Sequence, residues 1–136
     1  MSLEIRKSFA GRGLFATRTF RKDEFIIEYF GPILNAEEAD RRYNDRYLFA
    51  VTSDRFIDGK PTANVARFIN HSCKPNAEAS GLKRLLIKAT RTIRPGDEIL
   101  LDYGPEYIER FIERCKCPAC RNNSGVKKRT RSGKVK

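Results

Sequence analysis

Histidine is almost missing from this chain of 136 residues: His71 is the only one. A proton relay between histidines is thereby excluded, and His71 must act alone or hold a loop together. Cysteines are also few, four in all, with Cys73 well upstream of Cys115, Cys117 and Cys120. Long apolar runs are lacking. The run LLI at 85–87 is typical of their length, far short of the roughly 20 residues that cross a bilayer as a helix. No internal repeat is present. Gly11 and Gly13 flank Arg12, but no third glycine and no helix follow, so this is not a dinucleotide fingerprint. Nothing reads as a secretory signal segment, which points to a reducing, intracellular setting. Acidic residues are absent from 121–136.

That last absence decides how the charge is distributed. The formal net charge is +11, but seven of the 28 basic residues fall in 121–136. This leaves 21 basic against 17 acidic residues in 1–120, a net of +4. The body is mildly basic. The tail, rich in Ser, Gly, Thr and Asn, reads as disordered. It suits contact with nucleic-acid phosphates, or serves only as a solvated tail. Apolar residues make up 40% of the chain, enough for one domain with a small core.

Short runs of β-forming residues dominate the rest. Residues 3–7, 24–30, 46–52, 55–59, 84–93 and 98–104 read as strands, separated by Gly, Pro and Asx turns. A buried run, 14–16, follows the glycine pair. Asn35 is placed to cap a short helix over 36–42, with acids first and bases last. Residues 106–115 carry apolar side chains at helical spacing and lead into the cysteines.

Two stretches carry chemistry. Residues 67–77, RFINHSCKPNA, are neither a good helix nor a good strand. Asn70, Ser72 and Asn76 suit an irregular loop bonded to its own backbone, and Pro75 fixes its exit. Fixed polar groups in an ordered loop suit a binding site as well as a plain turn. The second stretch is CKCPAC. Cys117 and Cys120 have the two-residue spacing of a shared tetrahedral ion, Cys115 adds a ligand and Cys73 could supply the fourth. Free or disulfide-bonded thiols are the alternative.

The order GRGLFATRTFRKDEFIIEYFG, YLF, RFINHSCKPN, EILLDYG, CKCPAC resembles the SET-domain protein-lysine methyltransferases, over residues 4 to about 120. The resemblance implies a mainly β fold of the β-clip type: small twisted antiparallel sheets, two short helices and a knot-like C-terminal threading. It implies a SET domain over 1–104, a zinc segment after it over 105–121 and a disordered basic tail over 122–136. It implies that S-adenosylmethionine lies against the Gly11, Arg12, Gly13, Leu14 backbone and against Tyr47, Arg67, Phe68, Asn70, His71 and Tyr103. Tyr103 would be the main catalytic tyrosine, with Tyr29 and Tyr47 lining the lysine channel; core packing is the plainer role for those two. One structural zinc would sit on Cys73, Cys115, Cys117 and Cys120.

The implied partner is a lysine-bearing, histone-like protein whose peptide adds as a strand. DNA contact through the tail, no membrane and a monomeric state are expected. The setting would be nucleus or chromatin in a eukaryote, cytoplasm or nucleoid in a bacterium. A catalytically weak SET fold that binds peptide or DNA is the alternative function. The sequence departs from the family at Leu101, where Tyr or Phe is usual two residues before the catalytic tyrosine. A roomier, less polar pocket and more than one added methyl are expected. The last two cysteines are also closer together than in the common family form.

Overall fold

Turn residues cut the chain into strands too short to stand alone, so each gains stability only by pairing with distant partners. The computed structural model describes residues 2–42, 44–104, 117 and 120. The amphipathic stretch at 106–115, Cys115 and the basic tail lie outside the described residues.

Strands β1 (Leu3–Ser8) and β2 (Gly11–Ala16) form an antiparallel hairpin in which Ser8 faces Gly11. Gly11 has φ +92°, a conformation that costs other L-residues energy. The buried run at 14–16 is thus the inner half of β2. Strand β3 (Phe25–Tyr29) belongs to a second sheet, while β4 (Ile33–Leu34) starts a third. Between β4 and the next strand lies α1 (Ala36–Asp40). Asn35 caps it as expected: its side chain accepts the Glu38 N–H at 2.8 Å, and the Glu38 carboxylate accepts the Asn35 N–H at 2.9 Å. The helix ends at Asp40 rather than 42. Strands β5 (Leu48–Thr52) and β6 (Arg55–Asp58) complete the third sheet, in the order β4–β6–β5.

A 3-10 turn over Val65–Phe68 leads to β7 (Asn70–His71). Strand β8 (Ala77–Ser80) was not foreseen, because AEAS carries little β propensity; β9 (Leu85–Ala89) recruits it, and the second sheet runs β3–β9–β8. Strand β9 stops at Ala89. The chain then leaves the sheet so that Ile93 can exchange both backbone hydrogen bonds with Phe20, each 2.8 Å.

The expected strand at 98–104 narrows to β10 (Leu100–Leu101), which runs parallel to β7. Its neighbourhood is bonded on two sides. Ile99 N–H donates to the Leu14 carbonyl at 2.8 Å, and Ser72 N–H donates to the Leu101 carbonyl at 2.8 Å. The last strip therefore lies between the hairpin and the 70–76 loop. Beneath it sits the core, in which Leu14, Phe20, Ile69, Ile87, Ile93 and Ile99 are almost completely enclosed. Each such side chain contributes about 1.5–3 kcal/mol of burial.

Two buried asparagines stitch this core to its loops. Asn64 is 0% exposed; its side chain accepts the Phe30 N–H and donates to the Gly59 carbonyl. Asn76 donates to the Glu98 carbonyl at 2.8 Å and accepts the Leu100 N–H at 2.9 Å. Of the three loop residues expected to bond locally, only Ser72 does so, accepting the Lys74 N–H at 3.0 Å. Asn70 and Asn76 reach across the molecule instead. Among the described residues, no helix is long and apolar enough to cross a membrane.

Candidate active site

The segment leading into β5, the 3-10 turn and the end of β10 converge on a cavity of about 240 Å³. Tyr29, Tyr47, Arg67, Ile69, Leu101 and Tyr103 are among the residues that line it. The aromatic and aliphatic walls come from β3, β5 and β10, which explains why those strands bear large side chains on that face.

Tyr103 is held at both ends. Its N–H donates to His71 Nδ1 at 3.0 Å, and its phenol donates to the Ile69 carbonyl. Its ring lies tilted against the imidazole, centroids 5.5 Å apart. Tyr29 donates its phenol proton to the Tyr47 carbonyl at 2.6 Å, and its ring packs against Phe49. Gly59 makes room for that ring: a Cβ there would fall 2.3 Å from it. Tyr47 lies under the Arg67 guanidinium, 4.6 Å from ring centre to Cζ. Arg67 donates to the Lys60 carbonyl at 2.8 Å, while its buried Nε has no hydrogen-bond partner among the described residues. Leu101 is 4% exposed and presents only hydrocarbon.

Asp45, on the same wall, has a side chain 4% exposed. One oxygen accepts the Tyr47 N–H at 2.8 Å; the other lies 3.5 Å from Lys60 Nζ. Burial pushes the Asp45 carboxyl above the usual aspartate range, and the neighbouring Asp58 adds to the rise. Asp58 goes the other way. Burial opposes that, but the neighbouring Asp45 carboxyl, the Lys60 N–H and Arg42 at 2.8 Å outweigh it.

The glycine-flanked strand and the histidine loop meet through one carboxylate. Asn70 Nδ2 donates to the Arg12 carbonyl at 2.9 Å and to Glu98 Oε2 at 2.8 Å. The Ser8 hydroxyl donates to Glu98 Oε1 at 2.6 Å. Gly13 lies directly under this group, where a Cβ would be 2.3 Å from Glu98 Oε2. The Leu14 side chain points into the core. Arg12 and Arg67 both lie over the Phe68 ring, at 5.9 and 5.2 Å.

His71 is buried, and that burial lowers its pKa against the pull of Asp102, 3.8 Å away. Its second ring nitrogen, Nε2, faces Cys73 Sγ at 3.5 Å. The sulfurs of Cys73, Cys117 and Cys120 all lie within 4.8 Å of one another, Cys73 and Cys120 at 3.4 Å. Zinc–sulfur bonds of about 2.3 Å in a tetrahedron place sulfurs about 3.8 Å apart, so the spacing fits. Cys117 Sγ also accepts the N–H groups of Cys73 and Cys120, both at 3.4 Å, a pattern that favours a thiolate. Cys115 lies outside the described residues.

A sequence profile of the SET domain matches residues 11–104. The chain belongs to the SET-domain family. Its SET domain is 37% identical over 123 residues to "Histone-lysine N-methyltransferase, H3 lysine-4 specific" of Schizosaccharomyces pombe, covering 80% of this chain and 13% of that protein. It is 39% identical over 127 residues to "Histone-lysine N-methyltransferase set-2" of Caenorhabditis elegans, covering 84% of this chain and 8% of the relative. With "Histone-lysine N-methyltransferase Set2" of Drosophila melanogaster the identity is 35%, over 85% of this chain and 6% of the relative. The chain thus spans a small fraction of the curated relatives it matches.

Within the SET domain, reading the sequence missed Glu98, Asp45 and Asn64. Asn64 and Asp45 carry no local pattern. Glu98 did leave a signal: it opens the apolar run Ile99–Leu101, and an acid there needs a partner when the strand is buried.

Proposed function

We propose that this SET domain transfers methyl groups from S-adenosylmethionine to a lysine side chain of a histone or similar basic protein. The observation that carries the reading is the convergence of Tyr103, Tyr47, Tyr29 and Leu101 on one cavity beside the Asn70–His71 loop. When bound, S-adenosylmethionine supplies a methyl on a sulfonium, open to in-line attack by an amine. Arg67 suits its carboxylate, since the guanidinium lines the cavity and its buried Nε meets no acceptor among the described residues. The Asn70 loop and the Gly11–Leu14 strand suit its remaining polar edges.

The chain's own residues have two tasks. The first concerns the proton. A lysine with a pKa of about 10.4 is neutral about once in a few thousand molecules at pH 7, and only the neutral amine attacks. Hydrocarbon from Leu101 and Ile69 disfavours the ammonium in the channel. Tyrosine faces still attract the cation at entry, so it is not repelled at the mouth. The second task is alignment, which supplies much of the rate when little bond making falls to the protein. The Tyr103 hydroxyl, fixed from both ends of its residue, orients the nitrogen.

Cys73, Cys115, Cys117 and Cys120 would hold one zinc, whose contribution would be structural: it would tie the histidine loop to Cys117 and Cys120. Incubation with labelled S-adenosylmethionine and histones, a nucleoid protein or the chain alone tests the reading, with the labelled residue then mapped. Label on a lysine, lost in Tyr103→Phe, is expected. Cofactor or peptide binding without transfer would favour a binding module instead.

A further inference from the structure

Of the buried polar groups, His71 has one relationship that the methyl-transfer reading leaves unused. Its ring reaches both functional clusters at once. A backbone N–H can only donate, so the 3.0 Å contact from Tyr103 N–H to Nδ1 requires Nδ1 to be bare. In the neutral ring the proton is then on Nε2. That nitrogen faces Cys73 Sγ at 3.5 Å, within hydrogen-bonding range for sulfur. The direction of both bonds follows from one observed donor, with no choice of tautomer left.

We propose that His71 is a positioning residue that ties the sulfur cluster to the active-site tyrosine, donating from Nε2 to Cys73 Sγ and accepting the Tyr103 backbone N–H at Nδ1. This rests on the proposed metal-binding role of the cysteines. Cys73 is the one cysteine of the cluster carried by the loop itself, two residues past His71. Its sulfur becomes a stronger acceptor as a metal-bound thiolate than as a thiol. Loading the metal therefore tightens the grip on Nε2, fixes the imidazole, and so fixes the peptide unit from which the Tyr103 phenol is aimed. The hydrogen-bonded donor behind a metal ligand commonly changes metal affinity or activity by about 10–100-fold when removed.

The two bonds can be separated by substitution. In His71→Asn, the amide oxygen can stand near the position of Nδ1, but the side chain is too short to reach the sulfur. In His71→Gln, the amide nitrogen can stand near Nε2, while the acceptor for Tyr103 is displaced. His71→Phe keeps a flat ring and loses both. The full chain is loaded with Co²⁺, whose thiolate-to-metal absorption band reports on the ligand sulfurs. Affinity is measured by competition with a chelator. Thermal melting confirms that each variant is folded, and kcat and KM are then measured on the loaded protein.

His71→Asn is expected to bind Co²⁺ about 10–100-fold more weakly with a shifted band. His71→Gln is expected to stay within a few-fold of the parent in affinity, yet to lose more kcat than His71→Asn. His71→Phe loses both. If all three bind Co²⁺ like the parent with the same band, the sulfur bond is not made and the proposal is overturned. It is overturned equally if kcat in the three falls only in step with melting temperature, or if the parent shows no thiolate band. Metal uptake is read without methyl transfer. A parent that binds Co²⁺ through thiolates but methylates nothing overturns the proposed function and leaves the bridge intact. A methylating parent whose variants all keep full affinity does the reverse.

Discussion

Asn70 donates its side-chain amide to Glu98 at 2.8 Å, and the other Glu98 oxygen holds Ser8 at 2.6 Å. One carboxylate thereby fastens the first hairpin to the histidine loop, with residues 8, 70 and 98 drawn together from the whole length of the domain. Gly13 is bare because that carboxylate rests on it.

Glu98→Gln replaces one charged acceptor oxygen by a donor. Either Asn70 then faces a group that cannot accept, or Ser8 must turn its hydroxyl to accept, and both remaining bonds lose their charged acceptor. A loss of about 1–3 kcal/mol in urea unfolding is expected. The KM for S-adenosylmethionine should rise more than that for the peptide, since the hairpin and loop are the segments proposed to hold the cofactor. Equal rises in both would show that the carboxylate serves stability alone.

Tyr103→Phe removes one oriented hydroxyl and leaves the ring. Methyl transfer should fall by at least about 100-fold, the scale for one preorganised group at a reacting centre. The backbone bond to His71 survives, so the circular dichroism spectrum should not change. Turnover close to that of the parent would reduce the phenol to an anchor on Ile69.

Leu101 cannot hold a water or bond an amine, and it is enclosed against the same cavity. Mass spectrometry of a reacted peptide should show products beyond monomethyl. Leu101→Tyr should shift the product toward fewer methyls by narrowing the cavity. Strictly monomethyl product from the parent would count against this reading of the pocket.

Removal of metal by a chelator, or Cys117→Ser, should abolish transfer while the strands remain. Cys117 Sγ gathers two backbone N–H groups, so its loss disturbs the cluster without touching the sheets. Far-ultraviolet circular dichroism near that of the parent, together with absent activity, is the expected pair. Loss of the β signal would show that the cluster holds the sheets as well.

Asp45 has its carboxyl pKa raised in the fold, by burial first and then by Asp58. The fold therefore favours its protonated form. The stability it contributes is present below the unfolded value and is lost as pH rises through the folded one. Asp45→Asn keeps an acceptor for the Tyr47 N–H and removes the buried charge. At pH 7 the variant should melt a few degrees higher than the parent, and the gap should close in acid. A lower melting point at pH 7 would mean that the 3.5 Å pair with Lys60 outweighs the cost of burial.

The sequence was most informative where a pattern is local. The Asn35 cap, the strand at 25–29 and the turn ahead of Glu98 all follow from residues within a few positions of one another. The ordered loop around His71 and the cysteine spacing were legible for the same reason. Strand β8 was not, because its pairing comes from β9 rather than from its own residues. Asn70 and Asn76 misled for a related reason: a short amide suits a local turn and a distant strand equally, and only the fold brings Glu98 and Leu100 within reach. Gly13 is similar, since its requirement comes from residue 98 and not from its neighbours.

Strip 98–101 takes its hydrogen bonds from residues 14–15 on one flank and 70–76 on the other. During synthesis the hairpin and the sheet of β4, β5 and β6 can form while the chain is still emerging, but this strip is made after both. Until it arrives, Leu14 and Ser72 have no partner for the groups they share with it. The cavity beside Tyr103 should therefore close only once this strip has paired, and a nascent chain stalled before Glu98 should be open to protease around residues 67–77.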